Sequence, residues 1–312
     1  MDRVIIPNKA TRTRLPLTDL AMGAPIASRL LLGASLPGQF VAAASIGYYA
    51  GSAAKDWYRR RGVRPIDFQA AFGADVDSLT PQPAEARLWE IKLLAHALNE
   101  DFVAKLPKRD ALARTINDRL TAYVAAITDQ EVVTSSEIRS FSMARFLIPG
   151  ALGSCDPISG DIAIFVDEGV LLPHVIAHEL CHRKGYLKEL HAQALAFLAM
   201  RSSDDPALVQ SARVERLHRQ LRVHQRLSEE PLFPRQLLDL ALLRPELEEA
   251  FFEMLPDPHE ARERGVMARL YDQRMRLTGQ NGLTDYDEGF LNFLWTFTHS
   301  EDATVDTEHA AI

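Results

Sequence analysis

Cysteine is scarce in this sequence. Cys155 and Cys181 are the two thiols in 312 residues, too few for a disulfide framework or a four-cysteine zinc site. That scarcity points to a reducing compartment, the cytoplasm. A basic surplus is missing as well: 35 lysines and arginines stand against 42 aspartates and glutamates, a formal net charge of −7, so no electrostatic footprint for nucleic acid is present. There is no repeat period, no low-complexity tract, no C-x-x-C pair, no G-x-S-x-G elbow and no phosphate-cradling glycine loop, so the chemistries those motifs serve find no support. The 47% hydrophobic and 25% charged content excludes a wholly disordered or fibrous chain.

A strongly apolar run is lacking at the N-terminus. Arg3, Lys9, Arg12, Arg14 and Asp19 scatter through the first thirty residues, so no secretory signal is expected. The stretch 30–54 then carries no charge over 25 residues, enough to span a bilayer by length. Its content is diluted by Pro37, Gln39, four glycines and three serines. Lys55-Asp56-Trp57-Tyr58-Arg59-Arg60-Arg61 follows, with aromatics and cations of the kind found at a membrane boundary. Two readings stay open: a helical hairpin rich in small residues, broken near Pro37-Gly38 and packed on the protein, or membrane contact through 30–54. Residues 1–62 are accordingly set apart as an N-terminal apolar helical segment.

The remainder, 63–312, reads as one mainly helical body. Leu88, Ile91, Leu94 and Leu98 predict a helix over 84–99, and Leu112, Ile116, Leu120, Val124 and Ile127 another over 110–127. Val132-Val133, 145–148 and 161–166 read as short strands, the last bounded by glycine and proline. From Leu171 the chain is helical again, with breaks at Gly185, Pro206, Pro231, Pro256 to Pro258 and Gly279 to Gly282. The helix over 206–227, where His218 and His224 lie among arginines, reads as a solvated face. The tail from Ser300 reads as frayed.

What the sequence does have is His178-Glu179-Leu180-Cys181-His182. On a helix, residues four apart lie one turn apart on the same face, so both imidazoles can reach one metal ion. Glu179 sits beside them, placed to take a proton from water rather than to bind the metal. A chance match of H-E-x-x-H has odds of only about 2% in a chain of this composition. A catalytic zinc needs a third protein ligand and an open fourth position. The metzincin third ligand is excluded, because Lys188 stands where its histidine belongs. Glu189 and His191 are the candidates; being two apart, only one of them faces the metal, and Glu189 is preferred. His174, one turn before His178, reads as a helix-start residue near the cleft mouth. Cys181 reads as a small buried hydrophobe.

These residues resemble the gluzincin metallopeptidases, in which H-E-x-x-H is followed by a helix carrying E-x-x-A-[DN]. Here the second element is Glu189-Leu190-His191-Ala192-Gln193. The stretch 159–199 is similar to an uncharacterised bacterial family read as membrane-associated zinc peptidases. Leu172-Pro173, His178-Glu179, His182, Gly185-Tyr186, Glu189 and Ala192 follow its pattern in order, as do Tyr271 and the run Asn281 to Tyr286. His191 stands where that family has a second acidic residue, Gln193 where it has Asn, and its strongly apolar membrane helices are represented only by 30–54. The resemblance implies a mainly helical α+β fold with a zincin-like core, in which a small sheet accompanies the active-site helix. It implies Zn2+ on His178, His182 and Glu189, with Glu179 as general base and a peptide or protein substrate. It also implies that the strand 161–166 is the edge to which extended peptide pairs, and that Tyr286 donates to the oxyanion. The expected activity is hydrolysis of peptide bonds. A zinc hydrolase of a non-peptide amide and a catalytically silent zincin-fold binding protein are the alternatives.

Overall fold

The computed structural model describes residues 2–147, 151–166, 169–257 and 266–306. The elements run β1 Asp2–Ile5, α1 Leu17–Leu32, α2 Leu36–Arg60, α3 Phe68–Phe72, α4 Ala84–Glu100, α5 Arg109–Thr128, β2 Gln130–Val133, α6 Ala144–Leu147, β3 Gly153–Cys155 and β4 Ile162–Ile164. They continue with α7 Leu172–Lys184, α8 Glu189–Arg201, α9 Pro206–Leu227, α10 Pro234–Ala241, α11 Pro245–Met254, α12 Val266–Leu277 and α13 Glu288–Thr298. The protein is therefore mainly helical α+β, with two sheets of two strands each among the described residues. The chain forms two compact units. One comprises 1–65, 108–167 and 178–187, and the other 66–107, 168–177 and 188–312.

In the first unit, β1 and β2 pair in parallel, Val4 opposite Val132. α1 and α2 form a helical hairpin. Its break falls at Gly33–Ser35, earlier than Pro37-Gly38, for two local reasons. Gly33 takes a positive φ of 60°, and Pro37 is tolerated in the first turn of α2, where its missing N–H costs nothing. Gly38 lets the helices close: a Cβ there would meet the Gly33 carbonyl oxygen at 3.1 Å. At the other end of α2, Asp56 accepts the Lys9 N–H (2.6 Å), and Arg60 donates to the carbonyls of Ile158, Ser159 and Arg183. Among the described residues no helix is long and apolar enough to cross a membrane.

β3 and β4 are antiparallel, Ser154 opposite Ala163. Arg139 closes the other side of β4, donating its N–H to Ile162 O (2.9 Å) and accepting from Ile164 N (2.8 Å). Within the strand expected over 161–166, Ile162–Ile164 is thus paired on both sides, by β3 on one and by Arg139 on the other. Residues 145–147, expected as a strand, are helical in α6; Ile148 lies outside the described residues. Arg145 N and Phe146 N turn back onto the carbonyls of Ser142 and Met143, a local closure that the apolar run does not reveal.

In the second unit, α4, α9, α10 and α11 share one apolar core of Ile91, Leu94, Leu98, Val214, Leu217, Leu221, Leu237, Leu247 and Phe251. Far from being a solvated face, α9 is buried along most of its length, His218 included. Two of its arginines sit inward on carboxylates: Arg216 pairs with Glu90, and Arg219 with Glu215 (2.6 Å) and Asp287 (2.8 Å). The start of the tail is also held, since Thr304 N and Val305 N donate to the Ala71 carbonyl; residues 307–312 lie outside the described residues.

Candidate metal centre

α7 begins where Gly169, at φ 118°, turns the chain and Pro173 occupies the first helical turn. Val175 and Ile176 hold its apolar side, Ile176 being wholly buried. The helix stops at Gly185, whose φ of 111° is a conformation that side-chain-bearing residues rarely adopt. There Tyr186 N reaches back to the Cys181 carbonyl (3.1 Å), and this reversal brings the Tyr186 carbonyl oxygen to 2.8 Å from His182 Nδ1. The contact assigns the His182 tautomer: Nδ1 carries the proton and donates it, leaving the Nε2 lone pair exposed. His178 Nε2 faces His182 Nε2 at 3.1 Å, with the rings nearly perpendicular.

The basic end of α7 is anchored by buried cations. Arg183 donates Nε to the Gly160 carbonyl and Nη1 to the Ser135 carbonyl, both at 2.8 Å. Lys184 Nζ reaches Thr121 Oγ1 (2.7 Å), the Val132 carbonyl (3.0 Å) and Thr134 Oγ1 (3.3 Å). Burial pushes the Lys184 ammonium down to about 7.

α8 opens on Glu189, whose N–H donates to Gln280 Oε1 (2.7 Å). Two phenols serve the Glu189 carboxylate. Tyr271 of α12 donates to Oε1 at 2.7 Å, and Tyr286, at the end of the 3-10 turn Leu283–Tyr286, hydrogen-bonds the same carboxylate and lies 3.3 Å from the Tyr271 hydroxyl. Burial and then the Glu189 charge raise both phenols well above their ordinary value, so both remain protonated donors. Among the described residues one group of metal-capable side chains converges: His178, His182 and Glu189 offer ligand atoms all within 4.8 Å of one another. Glu179 is the next residue along α7 and is itself buried.

His191 lies elsewhere. Its ring stacks on Phe68 at 4.1 Å, and burial depresses it to about 4. His174 is buried rather than set at a cleft mouth. Its N–H donates to Ser211 Oγ (3.1 Å), and its Nε2 stands 3.8 Å from Glu215 Oε1, an ion-pair partner that explains why a histidine is tolerated there. Glu215 also accepts from Gln193 of α8 and from Arg219. Cys181 is buried, and Cys155 on β3 contacts the Asp156 carbonyl.

A family model matches across this region. Residues 162–292 match the family described as "Protein of unknown function (DUF3810)". The span covers less than half of the chain and contains His178, Glu179, His182, Glu189, Tyr271 and Tyr286. No curated protein and no solved structure matches the chain. What the side chains can do therefore rests on their own chemistry. Two imidazole nitrogens and a carboxylate are a donor set suited to zinc, the oriented His182 is in its ligand tautomer, and a carboxylate beside the set can move protons.

Proposed function

We propose that this chain is a zinc-dependent peptidase with a zincin-like core. The observation that carries the reading is the convergence of His178, His182 and Glu189 beside the non-ligand carboxylate Glu179. A purely structural zinc site has no use for such a base. His178 and His182 would hold the ion through Nε2 and Glu189 through a carboxylate oxygen. Zinc, when bound, supplies a Lewis acid that makes water nucleophilic near neutral pH and polarises the scissile carbonyl. Glu179 accepts the proton of the attacking water and passes it to the leaving amine as the C–N bond breaks. Tyr286 is the candidate donor to the oxyanion, once released from Glu189. An extended substrate would pair with the backbone of Gly153–Cys155 rather than with Ile162–Ile164, which is already paired on both sides.

The test is metal analysis with hydrolysis of a fluorogenic peptide library. Wild type and Glu179→Gln should each hold about one zinc per chain, and His178→Ala should hold none. Glu179→Gln should lose peptide hydrolysis by at least about a hundredfold. Wild type that takes up no zinc after reconstitution, or Glu179→Gln that cleaves as well as wild type, would overturn the reading.

A further inference from the structure

Among the described residues the tip of the α1–α2 hairpin concentrates uncovered apolar side chains on consecutive turns. Over 26–50 only Ser28, Gly38 and Ser45 are buried, so three small residues mark the helix–helix contact and the large apolar ones face out. Leu30, Leu31, Leu36 and Phe40 are exposed by 81%, 83%, 81% and 74%. Successive helical positions point about 100° apart, so Leu30, Leu31 and Leu32 look out over more than half of the circumference of α1. A protein partner covers one face of a helix, whereas a lipid layer surrounds the tip on every side.

Charge selects the same partner. The chain carries a net charge of −7, yet between Leu20 and Arg61 every exposed charge is positive: Arg29, Lys55, Arg59 and Arg61, while Asp56 is buried against Lys9. Phosphate headgroups attract such a cationic hairpin on an otherwise acidic protein. Arg29 limits the depth. It lies one residue below Leu30, so keeping its guanidinium among the headgroups admits only the tip, about 5–10 Å into the boundary of the acyl chains. Lys55 lies 19 residues beyond Leu36, about 28 Å along α2 at 1.5 Å per residue. That exceeds one leaflet of a core about 30 Å thick, so the lower cations stay outside.

We propose that the hairpin docks its tip, residues 26–41, into the surface layer of an anionic bilayer without crossing it. This goes beyond the peptidase reading and does not depend on it. The experiment is flotation of the full-length protein with phosphatidylcholine vesicles, alone or with about a third phosphatidylglycerol. Wild type should float with the mixed vesicles and several-fold less with phosphatidylcholine alone. The triple variant Leu31→Ser/Leu36→Ser/Phe40→Ser should lose at least about tenfold of the bound fraction, with unchanged helical circular dichroism because all three side chains are exposed. Arg29→Glu should lose the preference for the anionic vesicles. A fluorophore on Ser35→Cys should be quenched more by nitroxides near the headgroup than by nitroxides at the chain end.

Three results would overturn the proposal. One is wild type that floats with neither vesicle; another is a triple variant that floats like wild type. The third is concentration-dependent self-association that the triple variant abolishes while no flotation is seen, which would assign the face to a second copy of the chain.

Discussion

Glu189 is held by two phenols whose donors come from 82 and 97 residues further along the chain, and that arrangement separates two roles that can be measured. Tyr271 donates to Oε1 at 2.7 Å and fixes where the carboxylate points. Removing such an outer partner of a metal ligand costs about 10–100-fold in metal affinity. Tyr271→Phe should therefore weaken zinc binding by at least about tenfold in a chelator competition, with thermal stability nearly unchanged in the metal-free protein. Tyr286→Phe should behave differently if that phenol serves the oxyanion: kcat should fall while zinc affinity and KM hold. Equal losses of zinc affinity in both variants would make Tyr286 a positioning residue as well. At this scale the sequence is legible where chemistry is local. His178, Glu179 and His182 share one helical turn, and Glu189 follows across a short reversal, so their spacing is written in the chain. The Tyr186 carbonyl that sets the His182 tautomer is local too, but a backbone acceptor leaves no residue signature. The Tyr271 contact depends on tertiary folding and leaves no spacing to read.

Elements whose character is set by partners far away in sequence are the ones that sequence reading misses. The arginines of α9 suggest solvent, yet the distant Glu90 and Asp287 hold Arg216 and Arg219. The strand 161–166 was readable as a strand, but its second neighbour is the single residue Arg139, which no pattern announces. The helices over 84–99 and 110–127, by contrast, match α4 and α5 within one or two residues, because their apolar period decides the buried face without outside help. Burial of α9 also has a pH consequence. His218 is pushed down to about 3 by burial and by Arg219, against the opposing pull of Glu215 and Asp287, and its ring nitrogens have no hydrogen-bond partner among the described residues. A histidine neutral in the fold but able to protonate when unfolded, near 6.5, makes the unfolded chain bind more protons below that value. Its stabilising contribution is therefore complete above pH 6.5 and is lost as the pH falls from about 6.5 towards 3. Between pH 7 and 5 the loss is about 2 kcal/mol. Chemical denaturation at the two pH values should show it, and His218→Leu should flatten that part of the profile. Equal pH dependence in the variant would place the acid sensitivity elsewhere.

At the scale of the whole molecule, a metal held as proposed by residues from two successive helices would couple ligand binding to folding. His178, His182 and Glu189 come within 4.8 Å of one another only when α7, the Gly185 reversal and α8 are all formed. The unfolded chain offers no such set, so zinc at about a thousand times its dissociation constant should stabilise the folded state by about 4 kcal/mol. For 312 residues that corresponds to a rise of about 6 °C in the midpoint of thermal unfolding. The rise should appear in wild type and in Glu179→Gln, vanish with a chelator and be absent in His182→Ala. Because Glu179→Gln would remove the proposed base and leave the proposed ligands, a preserved rise with lost hydrolysis would separate metal holding from proton transfer within one protein. A rise of the same size in His182→Ala would mean that zinc binds somewhere other than this helical turn, and the peptidase reading would fall with it.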